Sequence, residues 1–186
     1  MTRPASILLR LLLLSFAVFF AGCSPLAENT TTASAAPAES MADFCQQLPR
    51  ADYAQLTEIH SNDKWFQLYQ VAVGVIAIYE PHQWQEVISY LIIGDNEALL
   101  FDTGNGIGDI YALVTSLTDK PISVLNSHSH YDHVGGNYAF KKLYGMDTDF
   151  TRARQSGQSN DAISIEVSAQ ALCAPLPIGV SEDNHI

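Results

Sequence analysis

Residues 121–136 read Pro-Ile-Ser-Val-Leu-Asn-Ser-His-Ser-His-Tyr-Asp-His-Val-Gly-Gly. Ile122, Val124 and Leu125 form a short apolar run of strand length, and Asn126 ends it. The residues after Asn126 therefore emerge at a sheet edge, where α/β folds commonly bind their ligands. Three of the chain's six histidines, His128, His130 and His133, fall within six positions there, together with Asp132. Imidazole and carboxylate are suitable zinc donors, at about 2.0–2.2 Å. In a turn, His128 and His130 point the same way, two residues apart. Asp132 and His133 open the next helix and face a second ion. Packing imidazoles and an ionised carboxylate so densely has a poor structural rationale without a cation.

On the N-terminal side of this stretch, Ala98 to Asp102 reads as a strand and Thr103 to Gly108 as a glycine-rich turn. That turn does not cradle phosphate: residue 109 is Asp where a dinucleotide loop needs Gly, and no Lys follows. Ile107, Ile110, Leu113, Val114 and Leu117 recur at three- and four-residue spacing, which predicts an amphipathic helix over Ile107 to Thr118. Trp65 to Tyr79 predicts strand, broken at Gly74, and Val87 to Ile93 another, joined to the next by the turn Gly94 to Glu97. On the C-terminal side, Val134 to Tyr144 is expected to be a helix opening at Gly135-Gly136. Ile163, Ile165 and Val167 alternate as a strand would, whereas Ser168 to Cys173 suits a helix. His82 and Trp84 lie in a polar loop before a strand, read as ordinary surface. The order of strands, helix, strand, motif and helix indicates an α/β layered fold.

His-Ser-His-Tyr-Asp-His-Val-Gly-Gly (128–136), together with Leu99-Leu100-Phe101-Asp102-Thr103-Gly104, resembles the signature of the metallo-β-lactamase superfamily. The resemblance covers roughly residues 65–144, and it implies an αββα sandwich of which only the N-terminal half is present. It further implies two zinc ions, the first on His128 and His130, the second on Asp132 and His133. Asp102 would support the metal loop from behind. Two zincs about 3.5–4 Å apart hold a hydroxide and polarise a scissile carbonyl or phosphoryl oxygen, with Asp132 orienting the nucleophile and carrying its proton. The implied activity is hydrolysis of a small-molecule amide, ester or lactone, a β-lactam among them. The family's further ligands are two histidines and a bridging aspartate. After His133 the chain offers only His185, and Glu182-Asp183-Asn184-His185-Ile186 lacks the Pro-Gly-His-Thr loop that presents a third ligand. The expectation is thus a truncated form, and the alternative to a working hydrolase is a catalytically inactive, lipid-anchored, metal-binding remnant.

The N-terminal 22 residues read as a signal peptide: Arg3 and Arg10, an apolar run from Ile7 to Phe20, then Ala21-Gly22-Cys23. Phe20-Ala21-Gly22-Cys23 resembles a bacterial lipobox, which implies lipidation of Cys23. Ser24 implies sorting to the periplasmic side of the outer membrane; simple secretion to the periplasm is the alternative. Residues 23–40, rich in Ala, Thr, Ser and Pro, form a flexible tether, and 41–186 the partial domain. Cys45 and Cys173 are left as a candidate disulfide pair in an oxidising compartment, and only the fold decides whether their Cα atoms come within reach. With 20 acidic against 9 basic residues, a net charge of −11 and no basic stripe, nucleic acid is excluded as a partner.

Overall fold

The computed structural model describes residues 40–168 and 170–177. The expected signal peptide, the expected tether up to residue 39, Cys23 and His185 lie outside the described residues. Among the described residues seven strands occur in the order β1 (Thr57–Ile59), β2 (Gln67–Ala72), β3 (Val75–Tyr79), β4 (Ile88–Ile93), β5 (Ala98–Phe101), β6 (Ile122–Leu125) and β7 (Leu143–Tyr144). Four short α-helices accompany them: α1 (Met41–Gln46), α2 (Ile110–Leu117), α3 (Tyr131–Val134) and α4 (Asp149–Arg154).

The strands form one sheet whose spatial order equals their order in sequence. β1 to β5 pair antiparallel, each with the next, and β5, β6 and β7 pair parallel. The change of direction follows from connection length: α2 crosses over between β5 and β6, as a parallel pair requires. Leu68, Ile76, Ile78, Leu91, Leu100 and Val124 belong to one core with Ile107, Ile110, Leu113 and Val114, which pack onto the sheet. The α2 stripe is therefore the one its periodicity predicted. Asp109, however, caps the helix, its side chain accepting from Ala112 N, so Ile107 joins the core from the preceding turn. A separate, smaller cluster gathers Tyr69, Ala77 and Tyr79 with Tyr53. A mixed sheet flanked by helices meets the expected α/β class, with one sheet of the sandwich present among the described residues.

One expectation is corrected by the fold, and one reading left open is settled. Val134 to Tyr144 is not one helix: α3 ends at Val134, a 3-10 turn spans Asn137–Ala139, and the chain then extends into β7. The cause is Asn137, which is fully buried and spends its side chain on Asn126, Thr103 and the carbonyl of Gln155. A continuous helix would carry that amide away from all three. Residues 163–167 form neither strand nor regular α-helix; Asn160–Ile163 is a 3-10 turn from which Ile163 and Val167 enter the core while Ile165 stays exposed.

This C-terminal segment is stapled to the start of the domain. Cys45 and Cys173 form a disulfide with Cα atoms 5.3 Å apart. Cys173 N donates to His82 O, Trp84 N to Ala171 O, and Trp84 Nε1 to Glu166 Oε2. The loop from Glu80 to Glu86 is thus a seat for the C-terminal segment, with Gln83 and Glu80 buried, instead of ordinary surface.

Candidate metal centre

The turns that leave the C-terminal ends of β5 and β6 meet around residues 126–136. Backbone through His128 and His130 turns the two imidazoles toward one another, leaving His128 Nε2 3.1 Å from His130 Nδ1. Asp132 and His133 sit in α3, where Asp132 Oδ2 lies 3.2 Å from His133 Nε2. The rings of His128 and His133 are 4.1 Å apart between centroids, so the two pairs adjoin. All four predicted donors are therefore brought together.

A tetrahedral ion with bonds of about 2.0 Å needs donors roughly 3.3 Å apart. The two donor separations, 3.1 and 3.2 Å, are close to that value, and imidazole plus carboxylate suits zinc. The four side chains fit the group that the motif implies, as two pairs. Among the described residues no three His, Cys, Asp or Glu side chains form a complete metal-binding group.

His133 is held from behind. Its Nδ1–H donates to Asp102 Oδ2 at 2.8 Å, which turns Nε2 outward. Asp102 is buried, and its other contacts are Ser127 N at 2.8 Å and Ser127 Oγ at 2.7 Å. Its φ of +62° lies in the left-handed region, strained for a residue with a side chain and tolerated where the surroundings over-determine it. Burial disfavours charge on His133, but the carboxylates of Asp102 and Asp132 outweigh it and raise its pKa to about 9. For Asp132 burial pushes upward, and the His133 hydrogen bond and charge win, holding the carboxyl below its usual range. His128 is lowered, first by burial and then by the neighbouring histidines.

Backbone contacts lock the motif to the preceding turn. Thr103 N donates to His133 O, and Gly135 N donates to Gly104 O, each at 3.0 Å. The close approach explains Gly135: a Cβ there would stand 2.3 Å from the carbonyl carbon of Asn105. Asn126 Nδ2 donates to His133 O, closing the loop on itself.

The rim contains residues that sequence reading missed. The Tyr131 hydroxyl donates to Gln85 Oε1, tying the motif to the β3–β4 loop. Phe150 presents an edge-on ring 5.6 Å from His130, and the Arg154 guanidinium lies over that ring at 3.9 Å. Below the turn, Glu80 joins Trp65 and Asn105. None of these carries a local motif, because each partner arrives from elsewhere in the chain.

A family model described as Metallo-beta-lactamase superfamily matches residues 83–148, which include all four donors and Asp102. No curated protein matches the chain significantly. Among solved structures, a metallo beta lactamase from Erythrobacter litoralis, with beta mercaptoethanol in its active site, is 21% identical, covers 42% of this chain and 38% of its own, and has a TM-score of 0.35. One from Hirschia baltica is 19% identical over 49% of this chain and 47% of its own, at a TM-score of 0.40. A second Erythrobacter litoralis structure gives 15% identity, 57% and 50% coverage, and a TM-score of 0.41. The chain thus spans half or less of each of these proteins.

Proposed function

We propose that the chain is a metal-binding module carrying the ligand-bearing half of a metallo-β-lactamase-type zinc site, and that it binds zinc without turning over substrate. The observation that carries this reading is the pair of donor spacings, His128 Nε2 to His130 Nδ1 and Asp132 Oδ2 to His133 Nε2, at 3.1 and 3.2 Å. His128 and His130 would hold one ion and Asp132 and His133 the other. Among the described residues each ion would have two protein donors, where catalytic zinc sites ordinarily use three.

Zinc bound there would act as a Lewis acid and lower the pKa of water toward 7. The chain's own contribution is orientation. Asp102 accepts from His133 Nδ1–H and so fixes the ring with Nε2 facing outward, beside the Asp132 carboxylate on the same short helix. In this reading residues 1–22 are the signal peptide, lipidated Cys23 anchors the module to the periplasmic side of the outer membrane, and residues 23–40 are the tether to the domain at 41–186.

Hydrolysis of an amide, ester or lactone, β-lactams included, is the second reading, supported by the family match over 83–148. Zinc stoichiometry measured beside nitrocefin and lactone assays separates the two. Uptake of zinc without turnover is the expected result; zinc-dependent turnover favours the hydrolase, and failure to take up zinc overturns both.

A further inference from the structure

Glu80 follows β3 with only 2% of its surface exposed, and no Lys, Arg or His among the described residues forms a salt bridge with it. A buried acid without a cation is costly, and it persists where it satisfies donors that nothing else reaches. Both oxygens are in use: Oε2 accepts from Trp65 Nε1 at 2.7 Å, and Oε1 accepts from the backbone N of Asn105 at 3.1 Å. The carboxylate also lies flat against the turn, since a Cβ on Gly104, at φ +68°, would stand 1.9 Å from Oε1.

The turn so gripped is the one that touches the metal loop. Asp102 bonds His133, Thr103 N bonds His133 O, and Gly104 O accepts from Gly135 N. Three consecutive residues just before Asn105 therefore each hold α3, which carries Asp132 and His133, or the residue after it. We propose that Glu80 is the positioning residue of this centre: by clamping the Gly104–Asn105 turn it sets the aim of Asp102 on His133, and through it the metal affinity of the Asp132–His133 pair. The inference rests on the metal-binding reading above, yet it also makes a statement about the metal-free protein.

The two donors call for a side chain that offers two acceptor oxygens. Two N–H donors converge on the two oxygens, so an isosteric amide would turn its own NH2 toward one of them. Burial pushes the Glu80 pKa up to about 7 against the pull of Trp65 and Asn105, consistent with an acid retained for its two acceptors despite the cost of its charge.

The test uses the full chain and Glu80→Gln. In metal-free protein at neutral pH, the downfield proton NMR resonance of His133 Nδ1–H reports its bond to Asp102. That resonance should shift or broaden away in E80Q while the circular dichroism stays native. Cobalt(II) titration should then show the step assigned to Asp132 and His133 weakened tenfold or more, and the His128–His130 step within threefold. An unmoved resonance with both cobalt steps within twofold overturns the proposal. Should E80Q not fold, Trp65→Phe removes one donor only; a smaller shift of the same resonance supports the clamp, and none overturns it. If wild-type chain takes up no cobalt while E80Q still moves the resonance, the metal reading fails and the positioning of His133 stands. If cobalt binds normally to both, the positioning fails and the metal reading stands.

Discussion

The two donor pairs of the metal loop stand in unequal surroundings. Asp132 and His133 rest on buried Asp102, which Ser127 also contacts, and on the Thr103–Gly104 backbone. His130 is exposed, and among the described residues its ring meets its partner imidazole and the edge of Phe150, while His128 meets Ser127 Oγ at 3.0 Å. Donors a few positions apart in one loop thus differ in how much of their orientation is settled before an ion arrives. A donor held in place loses less entropy on binding, so the Asp132–His133 pair is the pre-organised half and the His128–His130 pair the adaptable one.

The largest effect is expected from Asp132→Ala combined with His133→Ala, which should remove one of two zinc equivalents while leaving the other; unchanged zinc content by elemental analysis would refute the division into pairs. Next in size is a pH effect beneath the pre-organised half. Glu80 has its pKa raised from 4.5 to about 7 in the fold, so protonation favours the folded state. Its share of stability is present in full below pH 4.5 and lost as pH rises from there through about 7, a span of roughly 3 kcal/mol. Urea unfolding of wild type and E80Q at pH 4.5, 6 and 8 checks the sign, because the advantage of wild type over E80Q must shrink or reverse with rising pH.

Asp102→Ala probes the contrast between the pairs directly. It leaves the part-buried donors of Ser127 and His133 without their acceptor, at a cost of about 1 kcal/mol in stability, and should weaken the Asp132–His133 ion about 10–100-fold with the other ion spared. Chelator competition reads both affinities, and equal weakening of the two would mean that the buttress serves the whole loop. Smallest is Phe150→Ala, where loss of one edge-on contact, on the order of 0.5–1.5 kcal/mol, should relax His130. Only the His128–His130 affinity should then fall, by about threefold to tenfold in the same titration. An effect on the Asp132–His133 ion instead would make Phe150 part of the other half.

Legibility followed the same line as rigidity. The α2 stripe, the β6 run and the strand ending at Phe101 could be read because each buries a periodic set of apolar side chains against one sheet, and periodicity is a local property. His128, His130, Asp132, His133 and Asp102 could be picked out as candidates because their types and spacing are themselves the signal, and the fold brings the five together. The helix expected over Val134 to Tyr144 failed at Asn137, whose amide answers to Asn126, Thr103 and Gln155 and not to its helical neighbours. The roles of Glu80, Gln85 and Phe150 were hidden for the same reason. The Cys45–Cys173 bond joins residues 128 positions apart, and a bare count of cysteines contains nothing about that distance.

Residue order was enough to settle the layer architecture, the acidic character and which side chains are the candidate donors, since hydrophobic spacing and donor chemistry are written residue by residue. Folding in three dimensions was needed to settle which nitrogen of His133 faces outward, which pair is buttressed, and that a buried glutamate grips the turn beneath them. Those are matters of contact between segments tens of residues apart, and such contacts exist only once the core has closed and water has left the groups that meet there.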